Sequence, residues 1–363
     1  MSRSPARRRR TSTITLAIVG ALLIAMGGAG GLLLSRLLAE PERERPGRRD
    51  DRRFDQRPDR PDRPDRPSRG GPARTFTLPP EFTAPCTERV DPGQLENVTD
   101  PRALPASDRP LVPVTQRRVE FESTDGLRIP GMLMAPRGGG PHPGIVWVHG
   151  GLADRVDPQV VEAIARNGYA VLGVDYRGSG GYGPEISGQP DIGQKDVDDV
   201  IAAGRYLAGL PEVDPDRVAV AGGSRGAAMA FLAVIREPEV FDAVGAFYPI
   251  VDWACALQLA GGRVGGEFLE AFGGTPEEVP EAYIERSPYY AADQITVPVY
   301  MAHGLRDRRP PPTETVKMAE ALEAEGRSPT VRYYNGLSHG FMEREPADSP
   351  LWEDFFAFLD RTL

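Results

Sequence analysis

The stretch Val218-Ala219-Val220-Ala221-Gly222-Gly223-Ser224-Arg225-Gly226, running on into Ala227 to Ile235, decides the fold. Its first four residues form an apolar run of strand character. The residues after Gly226 have helical character, and a serine stands at the apex of the turn between them. A G-x-S-x-G turn between a strand and a helix is a nucleophile elbow. Such a turn is strained and the chain packs closely on both sides of it, so a Cβ at either flank would clash. The turn holds the Ser224 hydroxyl exposed above a sheet.

A serine hydroxyl is a poor nucleophile until a base takes its proton. The chain has four histidines, His142, His149, His303 and His339. In the chain order serine, acid, histidine, only His303 and His339 follow Ser224. His339 comes just past the strand-like Thr330-Val331-Arg332-Tyr333-Tyr334, and Asp307 lies on the loop beyond the apolar run Val297 to Ala302. Ser224, Asp307 and His339 therefore each fall at a strand's C-terminal end, where open α/β sheets build their sites. Asp252, after the run ending at Tyr248, is the rival acid. His303 reads as structural, orienting the Asp307 loop. His142, in a Gly/Pro-rich loop, reads as solvent-exposed.

Acyl transfer also needs donors aimed at the developing oxyanion. The backbone N–H of Arg225, next after the serine, is one. His149-Gly150-Gly151, after the apolar run Gly144 to Val148, offers Gly150 and Gly151 as the others, with no side chains in the way. The Arg225 side chain is expected to pair with a nearby acid, with attraction of an anionic substrate end as the alternative.

From about residue 115 to 363 the chain resembles the catalytic domain of the prolyl oligopeptidase family of serine peptidases. The resemblance is carried by Val148-His149-Gly150-Gly151, by Tyr176-Arg177-Gly178-Ser179-Gly180-Gly181-Tyr182-Gly183, and by Asp214 to Ser224. Ser287-Pro288-Tyr289-Tyr290, His303-Gly304 with Asp307, and His339-Gly340-Phe341 extend it. It implies Ser224 as nucleophile, Asp307 as acid and His339 as base, acting on peptide bonds without a cofactor. Two departures stand out: Arg225 where an aromatic residue is common, and Leu152-Ala153-Asp154 after the H-G-G run instead of proline. The β-propeller that precedes the catalytic domain in many members is not expected here. Carboxylesterases share the fold and the chemistry, so an ester substrate is the alternative.

The surrounding pattern agrees. Two alternating runs around Asp125-Gly126 read as an opening hairpin. Apolar runs at 144–148, 169–174, 218–221, 243–247, 297–302 and 330–334 then alternate with helical stretches at 158–167, 196–209, 225–236 and 314–325, and Trp352 to Leu359 reads as a terminal helix. This predicts an α/β-hydrolase fold: a mostly parallel central sheet with helices on both faces. Residues 252–292 break the alternation and are expected to form a lid or pocket wall. Trp253, Phe268, Phe272 and, from the earlier glycine-rich run, Tyr182 are the candidate substrate-pocket residues.

The ends of the chain differ in character. Residues 1–74 carry a net +9 against −9 for the whole chain, leaving −18 for residues 75–363. A body this acidic argues against nucleic acid as partner. Five arginines within residues 3–10 precede Ile14 to Leu34, which is apolar or small throughout and long enough to span a hydrocarbon core. Residues 1–39 are thus expected to be a transmembrane signal anchor with the catalytic domain outside the cytoplasm; cleavage and secretion is the alternative. Residues 40–74 are charged and Pro-rich, their Arg-Pro-Asp repeat at 57–67 has no apolar side chains to build a core, and they are expected to be a disordered linker. Residues 75–114 are expected to be an irregular extension onto the domain at 115–363.

Cys86 and Cys255 are the only cysteines. Two cannot make a Cys-x2-Cys metal site and no histidine cluster supplements them, so no metal is expected. In an oxidising compartment they could pair and tie the extension to the lid; otherwise they stay unpaired, with Cys255 buried. The complete Ser/Asp/His set argues against a non-catalytic, membrane-tethered binding protein on the same fold.

Overall fold

The computed structural model describes residues 91–363 except Gln189, Pro190 and Gly261, together with Phe82, Cys86 and Val90. The expected anchor and linker, residues 1–39 and 40–74, lie outside the described residues. Among those described, no helix is long and apolar enough to cross a membrane.

The strands are β1 (Val98–Thr99), β2 (Val114–Glu122), β3 (Arg128–Pro136), β4 (His142–Val148), β5 (Ala170–Val174), β6 (Val213–Gly223), β7 (Ala243–Phe247), β8 (Val299–Gly304) and β9 (Thr330–Tyr334). They form one sheet in the order β1-β9-β8-β7-β6-β4-β5-β3-β2. From β1 to β5 every neighbouring pair is parallel; β3 joins antiparallel to β5, and β2 to β3. The β2–β3 hairpin turns at Asp125-Gly126, where Gly126 takes φ +85°.

The helices are α1 (Pro158–Ala165), α2 (Pro184–Ser187), α3 (Lys195–Ala208), α4 (Arg225–Arg236), α5 (Trp253–Leu259), α6 (Gly262–Phe272), α7 (Pro280–Arg286), α8 (Thr313–Ala324) and α9 (Glu353–Thr362). Both faces of the sheet are covered, which is why the parallel strands read as continuous apolar runs. In β4, Val146 and Val148 point into a core shared with Val200 of α3, Phe231 of α4 and Met318 of α8. Ile145 and Trp147 point the other way, to Val160 and Ile164 of α1 and Phe355 and Phe356 of α9. The two faces alternate residue by residue, as the pleat requires.

The chain leaves β4 to place β5 on one side of it, then returns to place β6 on the other. That reversal opens a crevice at the C-terminal ends of β4 and β6, where open α/β sheets bind ligands. His149-Gly150-Gly151 leaves β4 there, and Ser224 leaves β6. Residues 252–292 form the wall foreseen from the broken alternation. Helices α5, α6 and α7 pack on their own small core of Trp253, Phe268, Phe272 and Tyr283.

The extension departs from its expected irregular form in one respect. Val98–Thr99 pairs in parallel with Tyr333 and Tyr334 as an edge strand. Two residues are too few to show alternation in a sequence. Upstream, Cys86 and Cys255 form a disulfide with Cα atoms 5.4 Å apart. The Cys86 N–H donates to Gln258 Oε1 at 3.3 Å, and Phe82 packs into the lid core. The bridge closes a loop of 169 residues, so it restricts the unfolded chain strongly. Cys86→Ser with Cys255→Ser should cost about 2–4 kcal/mol of stability. A urea midpoint identical to that of wild type under non-reducing conditions would refute this.

Candidate active site

The elbow has the strain that its glycines suggest. Ser224 takes φ +57° and ψ −122°, outside the comfortable regions for a residue with a side chain. Its N–H donates to Phe247 O at 2.9 Å, tying the turn to β7. The end of β4 presses on it from the other side: a Cβ on Gly222 would sit 2.5 Å from Val148 O, and one on Gly226 2.1 Å from the same atom. Glycine is therefore required at both places. Arg225 is the first residue of α4, so the positive end of the helix dipole lies at the serine.

Asp307 and His339 come together from the loops after β8 and β9. His339 Nδ1 lies 2.8 Å from Asp307 Oδ2. The Arg309 N–H donates to Asp307 Oδ1 at 2.8 Å, and His303 Nε2 lies 3.6 Å from Oδ2. Burial on its own would raise the Asp307 carboxyl; the close His303 imidazole and the hydrogen bond from His339 outweigh it and bring the group down to about 2. His303 is fully buried, with Nδ1 2.7 Å from Thr315 Oγ1 and Nε2 3.1 Å from Pro310 O, as a residue orienting that loop should be. The rival Asp252 is engaged elsewhere. It caps α5 through the Ala254 and Cys255 N–H groups, pairs with Lys317 and accepts from the Tyr290 hydroxyl. Tyr248, at φ +40°, sets its ring edge-on to the His339 imidazole, 4.8 Å between centroids.

Ser224, His339, Gly150, Gly151 and Arg225 line one cavity of about 960 Å³. No hydrogen bond joins Ser224 Oγ to His339 among the described residues; contacts of this kind commonly close only when substrate binds. Gly150 lies against the nucleophile, since a Cβ on it would be 3.2 Å from Ser224 Cβ. Behind it, His149 is buried with Nδ1 2.8 Å from Gly150 O and Nε2 2.8 Å from Ser179 Oγ. Burial pushes its imidazole down to about 3, so it is neutral. The Arg225 side chain is buried and paired with Asp196, Nη2 to Oδ2 2.6 Å, in keeping with the expected acid partner.

The aromatic candidates divide. Trp253 and Phe268 line the cavity beside Ile192 and Ile250. Phe272 does not: it stacks on Tyr283 at 4.2 Å and backs Trp253, one turn further along α6 from Phe268 and inside the lid core. Tyr182 also stands off the cavity, because its hydroxyl binds the Asp175 carboxylate and Arg155 covers its ring. His142 is half-buried, not exposed. It is the first residue of β4, and its N–H donates to Glu212 O at 2.9 Å.

Three buried acids escaped the sequence reading. Asp196 and Asp199 stand three apart on α3, one turn, on the side that also buries Val200 and Ala203. That placement on an apolar face is the signal that could have marked them. Asp199 binds Arg177, which fixes the Tyr176-Arg177-Gly178 turn. Glu314 of α8 accepts the N–H groups of Val251 and Asp252, both at 2.9 Å, where the lid begins. Burial, with the Asp252 carboxylate adding to it, pushes Glu314 up to about 7. The unfolded chain gives up this proton near its ordinary value of 4.5. The folded chain holds it longer, so stability should fall as pH rises from about 4.5 to 7. Glu314→Gln should remove that slope, read from urea midpoints across the range; an unchanged slope would assign it to other groups.

A strained serine at the strand–helix switch point, on the same cavity as a histidine held by a buried aspartate, is the arrangement of a serine hydrolase on an α/β fold. The profile of the Prolyl oligopeptidase family (Peptidase_S9) matches residues 155–363, and the chain belongs to that family of serine peptidases. The Acetyl xylan esterase (AXE1) profile matches residues 93–196. An uncharacterized peptidase, YtmA, of Bacillus subtilis is 29% identical over 230 residues, 61% of this chain and 85% of its own length. Dipeptidyl aminopeptidase BIII of Pseudoxanthomonas mexicana is 29% identical over 276 residues, 69% of this chain and 39% of that protein. Among solved structures, a puromycin-hydrolyzing peptidase of Mycobacterium tuberculosis superposes with a TM-score of 0.61 at 28% identity, covering 68% of this chain and 39% of that one. The chain therefore spans well under half of these two longer proteins.

Proposed function

We propose that this chain is a serine peptidase that works through an acyl-enzyme. Ser224 attacks the substrate carbonyl, and His339 takes the serine proton at Nε2 and later returns it to the leaving amine. Asp307 accepts the Nδ1–H of His339, fixing the tautomer and stabilising the cation that forms. The Arg225 and Gly151 N–H groups, with the Gly150 backbone beside them, receive the oxyanion. Water then attacks the acyl group and frees Ser224. The observation that carries this reading is the 2.8 Å contact of Asp307 with His339, which lines the same cavity as the strained Ser224.

A cavity of about 960 Å³ with Trp253 and Phe268 on one side suits a short peptide with an apolar side chain near the scissile bond. The test is a fluorophosphonate probe followed by chromogenic peptides and p-nitrophenyl esters assayed side by side. Labelling at Ser224 with faster turnover of peptides supports the reading. Labelling with turnover of esters alone would make the chain a carboxylesterase, and no labelling would leave a binding protein on a hydrolase fold.

We further propose that the peptidase works outside the cytoplasm, tethered through residues 14–34. The Cys86–Cys255 disulfide supports this, since such bridges persist in oxidising compartments. Deleting residues 1–74 should move activity from the membrane fraction to the soluble one without loss of specific activity. Activity that is soluble in the full-length chain would count against the tether.

A further inference from the structure

One residue, Arg225, supplies one side of the proposed oxyanion site and helps His149 to hold the other. The Gly151 N–H belongs to the same planar peptide unit as the Gly150 carbonyl, and the two point in opposite directions. His149 Nδ1, 2.8 Å from Gly150 O, therefore also aims the Gly151 N–H. A neutral imidazole has a single N–H, and a carbonyl can only accept, so Nδ1 carries the proton and Nε2 accepts from the Ser179 hydroxyl. This accounts for the first peptide unit of the strip.

The next units are held from Arg225. Its Nη1 donates to Gly151 O at 3.2 Å and to Leu152 O at 3.4 Å. Its Nη2 is anchored on Asp196, whose side chain is wholly buried. The guanidinium lies over the Tyr176 ring at 5.1 Å, and that ring stacks on His149 at 4.3 Å. The Tyr176 hydroxyl donates to His149 O at 2.9 Å. Asp196, Arg225, Tyr176 and His149 thus form one buried assembly behind Gly150 and Gly151.

We infer that Arg225 is a positioning residue for catalysis: its side chain sets the Gly150-Gly151 strip at a fixed distance from its own backbone N–H, so that the two oxyanion donors converge. The inference rests on the acyl-transfer reading above. A guanidinium suits the task because its fork reaches a carboxylate and two carbonyls at once. A lysine ammonium on a flexible stem keeps the charge for Asp196 but cannot hold that geometry.

Arg225→Lys is therefore the informative variant. On the peptide or ester that the wild type turns over, kcat should fall roughly 10- to 100-fold, with KM within about threefold. Affinity for the matching peptide aldehyde, whose adduct on Ser224 carries the oxyanion, should fall with kcat/KM. Should Arg225→Lys fold poorly, Arg225→Met combined with Asp196→Asn removes both buried charges together and should show the same split. Unchanged kcat in both variants, a rise in KM alone, or a loss matched by the fraction unfolded would overturn the inference. Turnover that survives Ser224→Ala would instead refute the reading on which it rests.

Discussion

Ser224→Ala should reduce turnover of acyl substrates by on the order of 10⁵- to 10⁶-fold and leave the thermal midpoint within about 2 °C of wild type. The substitution deletes one oxygen from a side chain whose hydroxyl makes no hydrogen bond within the fold among the described residues. The strain at φ +57° belongs to the backbone, where the Ser224 N–H binds Phe247 O and the end of β4 presses on Gly222 and Gly226. Alanine inherits that backbone unchanged. Fluorophosphonate labelling should vanish together with turnover, because both require the same oxygen. A Ser224→Ala protein that still cleaves peptides or esters at the wild-type rate would defeat the assignment.

Much of this was legible because the elements that build the site are strongly patterned. The central parallel strands are buried on both faces, so 144–148 and 243–247 appear as apolar runs with boundaries close to those of β4 and β7; β9, half-buried, matches the strand-like 330–334. The elbow is legible because steric pressure from Val148 permits only glycine at positions 222 and 226. Asp307 could be preferred to Asp252 from its place on the loop beyond the apolar run 297–302, and the structure gives Asp252 a different occupation, capping α5 and binding Lys317. What escaped depends on contacts between distant elements. Phe272 and Phe268 look alike in sequence, yet only Phe268 faces the cavity; the stack with Tyr283 that hides Phe272 is a tertiary event. The pairing of Arg225 with Asp196 is 29 residues long, and no local signal selects Asp196 over its neighbours. Whether Cys86 and Cys255 met was equally undecidable from spacing alone.

Asp307→Asn should lower kcat by on the order of 10⁴-fold, and the structure gives the reason in terms of which atom faces His339. The Arg309 N–H, 2.8 Å from Asp307 Oδ1, requires an acceptor at that position. The amide oxygen of an asparagine would take it, which forces the amide nitrogen to the place of Oδ2, 2.8 Å from His339 Nδ1. A donor there favours the imidazole tautomer with its proton on Nε2, and that nitrogen can no longer accept from Ser224. The defect is thus in proton transfer, and KM should change little. The carboxylate lost is one that the fold holds at about 2, against an ordinary value of 3.8. Its contribution of about 2 kcal/mol is present above pH 3.8 and disappears as pH falls through 2. Wild type should therefore lose stability between pH 4 and 2 more steeply than Asp307→Asn, while neither activity profile shows an Asp307 limb near neutrality. His339→Ala should be nearly as damaging as Ser224→Ala, and combining it with Asp307→Asn should add little further loss, because a carboxylate whose task is to orient an imidazole has nothing left to orient. Full additivity of the two losses, measured as kcat/KM on one substrate, would mean that Asp307 and His339 act separately, and the proton path from Ser224 would have to be assigned to other residues.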